Sequence, residues 1–316
     1  MIEAAASTAS PETVEIVLRQ ELARGDARAE TVVPILRHLL ANETNSVFGD
    51  DILARVRGMA EHIACQLLDE LAGDDEVEGK EARITALTGA FYENAPFLAH
   101  LHALAMEWQL SERMLARFTL DPVLSPLVQA LVASKDEATQ ALAMKALASQ
   151  ARFCQAQRRM TLPLSEMPGD HLHFALLCLR NLAGEGEDEA AQRAEAAIRA
   201  RYDEGKTRLG MLSQLIMSMG SGAIAALSLT HAGTALFLTA LAIGSGQDRD
   251  AATLSTNDGQ LARLALALRS AGMKPEGVNE QFVSLHPDIT LPEGFEQLGV
   301  DRAAAILAAG GSYPGG

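Results

Sequence analysis

Apolar side chains recur three and four positions apart along most of the chain, the spacing of packed amphipathic helices, and no segment alternates in the manner of a half-buried strand. Val14, Val17, Leu18 and Leu22 share one face of a first helix that leaves Glu15, Arg19 and Glu21 in water. Ser10 is placed to cap it, Pro11 and Glu12 suit its first turn, and Gly25 is expected to close it. A second helix begins at Asp50 or Asp51, carries Ile52, Val56, Met59, Ile63 and Leu67 on one stripe, and runs to Gly73. Beyond it, Asp74-Asp75-Glu76 and Gly79 mark an exposed linker. The same pattern predicts helices over 81–93, 96–109, 111–118, 122–133, 136–159 and 170–183, punctuated by Ser111, Asp121-Pro122 and Pro168-Gly169-Asp170. After Gly184-Glu185-Gly186, a charged helix over 188–203 reads as a solvated bridge between two halves, with a boundary near Gly205.

Residues 209–247 form a 39-residue stretch without Asp, Glu, Lys or Arg. Its length exceeds the ~20 apolar residues that cross a bilayer. However, Gly220, Ser221, Gly222, Thr230, His231, Gly233 and Thr234 divide it into short runs, and it lacks aromatic belts and a positive-inside bias. Two or three buried core helices are therefore expected rather than a membrane span. A helix from Asn257 or Asp258 to Ala271, ended by Gly272, and short helices over 276–285 and 301–309 complete the chain. The resulting division is a flexible segment 1–10, an N-terminal helical domain 11–204, a C-terminal helical domain 205–309 with apolar core helices, and a disordered tail 310–316.

The fold class is all-α, as irregular HEAT-like antiparallel helix pairs or a multi-helix bundle, because each one-striped helix needs a neighbour to cover it. A composition of 48% hydrophobic but only 4% aromatic residues favours helix over strand. The 41 acidic residues outnumber 26 basic ones, giving a formal charge of -15, which opposes a phosphate backbone and makes nucleic acid an unsuitable partner. A partner steered by charge would be basic. Cys65, Cys154 and Cys178 follow no CxxC spacing, so neither a disulfide framework nor a zinc ribbon is indicated and a reducing compartment is expected. The first ten residues include Glu3 and no long apolar run, which points to the cytoplasm.

In the C-terminal third, Ala235-Leu236-Phe237-Leu238-Thr239-Ala240-Leu241-Ala242 is followed by Gly246-Gln247-Asp248-Arg249-Asp250 and by the run Leu261 to Gly272, ending Leu268-Arg269-Ser270-Ala271-Gly272. This arrangement resembles the tail of an uncharacterised bacterial family of HEAT-like helical proteins of unknown function. The resemblance implies stacked helix pairs and brings no catalytic residue with it.

Two His-x-His strings, His100/His102 and His171/His173, offer imidazoles as metal ligands. Residues two apart point to different helix faces, so at most one from each string can converge, and a carboxylate such as Glu107 or Asp170 would complete the shell. Gly220-Ser221-Gly222-Ala223-Ile224-Ala225 matches a dinucleotide fingerprint in letters, but the preceding segment reads as helix rather than strand. Cys65 follows His62 by three residues among apolar neighbours, where a thiol acts as a small hydrophobe. Phe91, Tyr92, Phe97, Trp108 and Phe118 are expected in the core, with Tyr92 and Trp108 as alternative anchors for a partner. Met211, Met217, Met219 and Phe237 are the corresponding candidates for an apolar ligand or partner groove. With no coherent nucleophile, acid–base pair or phosphate loop, the expected role is a non-catalytic scaffold or regulatory protein-interaction module without a cofactor, and a homo-oligomer is left open. The alternative is a binding protein or enzyme for an apolar small molecule, with or without a metal.

Overall fold

The computed structural model describes residues 11–41, 50–73 and 79–311. Among these residues there are fourteen α-helices, six short 3-10 turns and no strand. In chain order the helices are α1 (Pro11–Ala41), α2 (Asp50–Ala72), α3 (Lys80–Glu93), α4 (Ala95–Phe118), α5 (Pro126–Val132), α6 (Glu137–Arg158) and α7 (Gly169–Ala183). They continue as α8 (Asp188–Arg201), α9 (Arg208–Ser218), α10 (Leu229–Ser245), α11 (Arg249–Leu254), α12 (Leu261–Ser270), α13 (Pro275–Leu285) and α14 (Val300–Ala308). Ser10, the acidic string 74–76 and the segments 1–10 and 312–316 lie outside the described residues.

The chain is all-α, as its periodicity predicts, but two expected breaks are absent. Gly25 does not end α1, which continues through it and through Pro34. The lack of a side chain there serves a close approach instead: a Cβ on Gly25 would lie 3.0 Å from the Gly259 carbonyl, and the Gln260 amide donates to the Gly25 carbonyl at 2.6 Å. Ser111 likewise lies inside one continuous α4, its hydroxyl donating to the Glu107 carbonyl at 2.9 Å. Helix α5 begins four residues later than expected because Asp121 accepts the Val123 and Leu124 N–H groups in a turn, leaving Ser125 as the cap. Helix α8 is more than a solvated bridge, since Ala191, Ala194 and Ile198 are buried against the aliphatic core.

The uncharged stretch forms all of α9 but its first residue, a 3-10 run over Gly220–Leu227 and the whole of α10, whose residues Leu229 and Ala232–Ala242 are buried. No single helix among the described residues is long and apolar enough to cross a membrane; α9 and the 3-10 run reach that length only together and are bent by 117°.

Apolar residues gather in two clusters that do not divide at 205. One joins Val14, Leu18 and Leu22 of α1, Leu110 and Met114 of α4 and Leu127 of α5 to the helices α9–α14. The other joins Val33, Leu36 and Leu40 of α1 and Phe97, Leu101 and Trp108 of α4 to α2, α3, α7 and α8. Thus α1 and α4 run through both. In α10, Gly233 adopts φ 76° and ψ 162°, a kink that lets the Ser125 hydroxyl donate to the Ala232 carbonyl at 2.7 Å. A Cβ on Gly233 would meet the Ser125 Cβ at 2.9 Å. Gly233→Ala is expected to cost about 1–3 kcal/mol in urea unfolding. Gly299→Ala, at an ordinary φ of -71° with open space around it, should shift the midpoint far less, because the poorer N-cap of α14 is offset by the stiffer unfolded chain.

Candidate functional site

Between the two apolar clusters lies a buried polar seam. Glu107, in the middle of α4 and 1% exposed, accepts two hydrogen bonds from each of two arginines. Arg208, at the start of α9, donates through both terminal nitrogens at 2.7 and 2.9 Å, and Arg249, at the start of α11, donates through both at 2.9 Å. Arg208 also donates to the Gln150 side-chain carbonyl at 3.1 Å and lies over the Phe153 ring, 3.6 Å from its centroid. Arg249 Nε reaches the Thr239 hydroxyl at 3.2 Å. Burial alone would raise the Glu107 pKa, but the charges and hydrogen bonds of the two guanidinium groups outweigh it and hold the carboxyl far below its usual range.

Two helical turns before Glu107, the same face of α4 presents His100. Asp250, next to Arg249 on α11, accepts from the His100 ring at 2.8 Å between Nδ1 and Oδ2. The two helices therefore pair twice, Glu107 with Arg249 and His100 with Asp250. His171, in the first turn of α7, lies beside His100 with ring centroids 4.8 Å apart, and its other side meets Phe97 edge-on at 5.8 Å. One ring nitrogen from each histidine and one oxygen of Asp250 lie within 4.8 Å of one another, and all three residues are buried. His100 Nε2 is buried without a hydrogen-bond partner.

One member of each His-x-His string thus converges, as helical geometry requires, while the other turns away. His102 faces a cavity of about 50 Å³ beside Arg28 and Gln260. His173 is exposed, with Nδ1 2.8 Å from an Arg199 nitrogen. The carboxylate is neither of the two expected from sequence. Glu107 is committed to its arginines, and Asp170 is exposed and accepts the His171 backbone N–H at 2.9 Å. The helical pattern does not mark Asp250 as a ligand because α11 has only six residues, too few to show a periodicity. Its available signal was the return of charge in Asp248-Arg249-Asp250 after 39 uncharged residues.

The other candidates are placed individually. Tyr92, Trp108, Met211 and Phe237 are core side chains, 9%, 4%, 6% and 0% exposed, and so offer no surface anchor. Met217 reaches solvent at 71%, with Met219 half-buried. The cavity among Ser125, Leu212, Leu215 and Gly233 holds about 20 Å³, roughly one water and no apolar ligand. The Gly220–Ala225 string lies in a 3-10 run that follows a helix, which removes the strand a dinucleotide fingerprint needs. His62 Nδ1 lies 2.9 Å from the Leu162 carbonyl, and burial pushes the Cys65 thiol up. Burial also pushes Cys154 and Cys178 up to about 11.

On the surface, a groove of about 250 Å³ lies between α1 and the segment 258–292. Leu18, Ala262, Ala265 and Phe282 form its buried floor, Val17, Leu261 and Leu291 its partly exposed walls, and Glu21, Arg24, Arg28 and Asp258 its rim. Comparison of the chain with protein-family models, curated proteins and solved structures finds no match.

Two outcomes follow from the seam. Glu107→Gln removes the charge that two buried guanidinium groups share and should destabilise the protein by about 3–5 kcal/mol in urea unfolding. Replacing Glu107, Arg208 and Arg249 together by Leu, Met and Met should recover most of that loss, because no buried charge is then left unpaired. The second outcome concerns His102, whose pKa burial lowers from 6.5 to about 4. The folded protein binds fewer protons than the unfolded chain between these values, so this contribution is complete above pH 6.5 and is lost as the pH falls toward 4. Stability at pH 5 should be about 2 kcal/mol below that at pH 7 on this account. His102→Leu should remove that part of the slope while leaving the contributions of other groups.

Proposed function

We propose that this protein is a non-catalytic interaction module, a scaffold or regulatory protein, that receives apolar side chains of a protein partner in the groove along α1. The observation that carries the reading is the groove's anatomy: an apolar floor continuous with the core, enclosed by a rim of four charged residues. This is the arrangement of a protein interface, in which apolar anchors are buried at the centre and polar groups stay wet at the edge. Its 250 Å³ falls below the roughly 300–1,000 Å³ of pockets that enclose a small molecule. That comparison favours a few side chains of a larger partner over an enclosed apolar ligand.

The chemistry-bearing side chains support a non-catalytic role. Glu107 is held by two arginines, and the three thiols are raised away from the reactive thiolate form. All three cysteines are free, which fits a reducing, cytoplasmic setting. The excess of 15 negative charges favours a partner with a basic flank, so that encounter weakens as ionic strength rises.

A photo-crosslinking residue at Val17 should capture a defined protein in the native host, whereas the same group at Ile35, on the far half of α1, should not. Val17 is 39% exposed, so Val17→Asp is expected to preserve the melting temperature and weaken the captured partner by roughly tenfold or more. Equal adducts from both positions, or unchanged affinity in Val17→Asp, would remove the groove as the contact.

A further inference from the structure

We propose that His100, His171 and Asp250 form a binding site for one divalent transition-metal ion of the zinc class. The three residues come from α4, α7 and α11, and they bring two imidazole nitrogens and a carboxylate oxygen within 4.8 Å of one another. Two nitrogens and one oxygen suit zinc or cobalt(II), whereas calcium and magnesium take oxygen ligands and iron–sulfur clusters take thiolates. Ligand atoms around a tetrahedral zinc stand about 3.3 Å apart, so the largest separation must close by about 1.5 Å, within the reach of ring rotation and a carboxylate turn.

An independent observation favours an ion over a purely structural His–Asp pair. The hydrogen bond to Asp250 uses His100 Nδ1, and Nε2 of the same ring is buried with no partner. A structural pair gives that nitrogen nothing to bind, and water reaches it poorly because the residue is 1% exposed. Coordination gives the orphaned nitrogen, or its neighbour after a ring turn, a use. The second imidazole is already alongside, although 71 positions separate the two histidines in sequence.

The surroundings hold the set in place. The Asp250 N–H donates to Asp248 Oδ2 at 3.2 Å, and the adjoining Arg249 is anchored on Glu107, so the first turn of α11 is fixed against α4 from two sides. Phe97 supports the His171 ring edge-on. Exposed Asp170 adjoins His171, and exposed Asp248 lies two residues before Asp250, so further negative charge stands near the set. Three protein ligands are one short of the closed four-ligand form of zinc site.

The test is a cobalt(II) titration of the full chain after chelator treatment, read by visible d–d absorption, with zinc displacement. The expected result is saturation at one equivalent. His171→Asn and Asp250→Asn should each weaken binding roughly tenfold or more, while exposed His173→Asn leaves it unchanged. Absence of saturable binding, or a signal that survives His171→Asn, would overturn the site. Circular dichroism accompanies each variant. If the replacements do not fold, the wild-type chain supplies the answer through imidazole nitrogen NMR: one equivalent of zinc should move the His100 and His171 ring resonances and leave exposed His173 where it is, and unchanged His100 and His171 resonances refute the proposal. Because the ion and the α1 groove use different residues, His171→Asn should not alter capture at Val17.

Discussion

Two arginines placed at either end of a long uncharged segment close on one buried carboxylate, and the arrangement of the C-terminal half depends on that junction. Arg208 is the last charge before residues 209–247, and Arg249 lies just beyond them. Both bind Glu107 through two hydrogen bonds each. The carboxylate therefore fixes the start of α9 and the start of α11 against the same turn of α4, and everything between must fit the loop so defined. Helices in an apolar interior have many near-equivalent packings, since dispersion and burial are not directional. A bidentate guanidinium–carboxylate pair has one good geometry. The net stabilisation from burying such charges is small once desolvation is subtracted, so what the junction adds to the apolar packing is its direction.

The histidine cluster inherits its position from this junction. Asp250 follows Arg249 directly, so anchoring the arginine on Glu107 brings the aspartate to His100, two turns away on α4. A short helix that could not hold its own shape is thereby used as a positioning element, and α7 completes the cluster from the opposite side with His171. The seam sits where the two apolar clusters meet.

Much of the fold was legible because a 3.6-residue period needs only one face of each helix to be apolar, and most of the chain from Val14 to Leu307 keeps that rule; Val17, expected on the buried stripe, and Phe118, expected in the core, are instead 39% and 38% exposed, the latter under the Arg117 guanidinium. What was not legible came from contacts distant in sequence. Gly25 looks like a helix end until the Gln260 amide, 235 residues away, is seen to need its bare surface. Ser111 looks like a start until its hydroxyl is seen turned back onto the helix. For the site, helical geometry established that the members of each His-x-His string must part, yet it could not say which member turns inward, because that depends on which face α4 gives to α11. Trp108 and Phe237 were ambiguous between anchor and core for a related reason: a large apolar side chain reads the same in both places, and only the neighbouring helices decide.

Helix α1 carries a consequence for how the protein is made. Its first half is buried against elements near the other end of the chain, through Leu18 and Leu22 in the shared core, the Asp26–Arg263 pair and the Glu15–Arg302 pair. The partners of Asp26 lie 237 residues later, so at ~5–20 residues per second the ribosome delivers them roughly 12–50 s after α1 has emerged. For that interval this half of the amphipathic helix has only Leu110 and Met114 of α4, from its own cluster, to cover it. The native fold thus has a first element that must wait for its last ones, and the cell must keep it from other chains in the meantime.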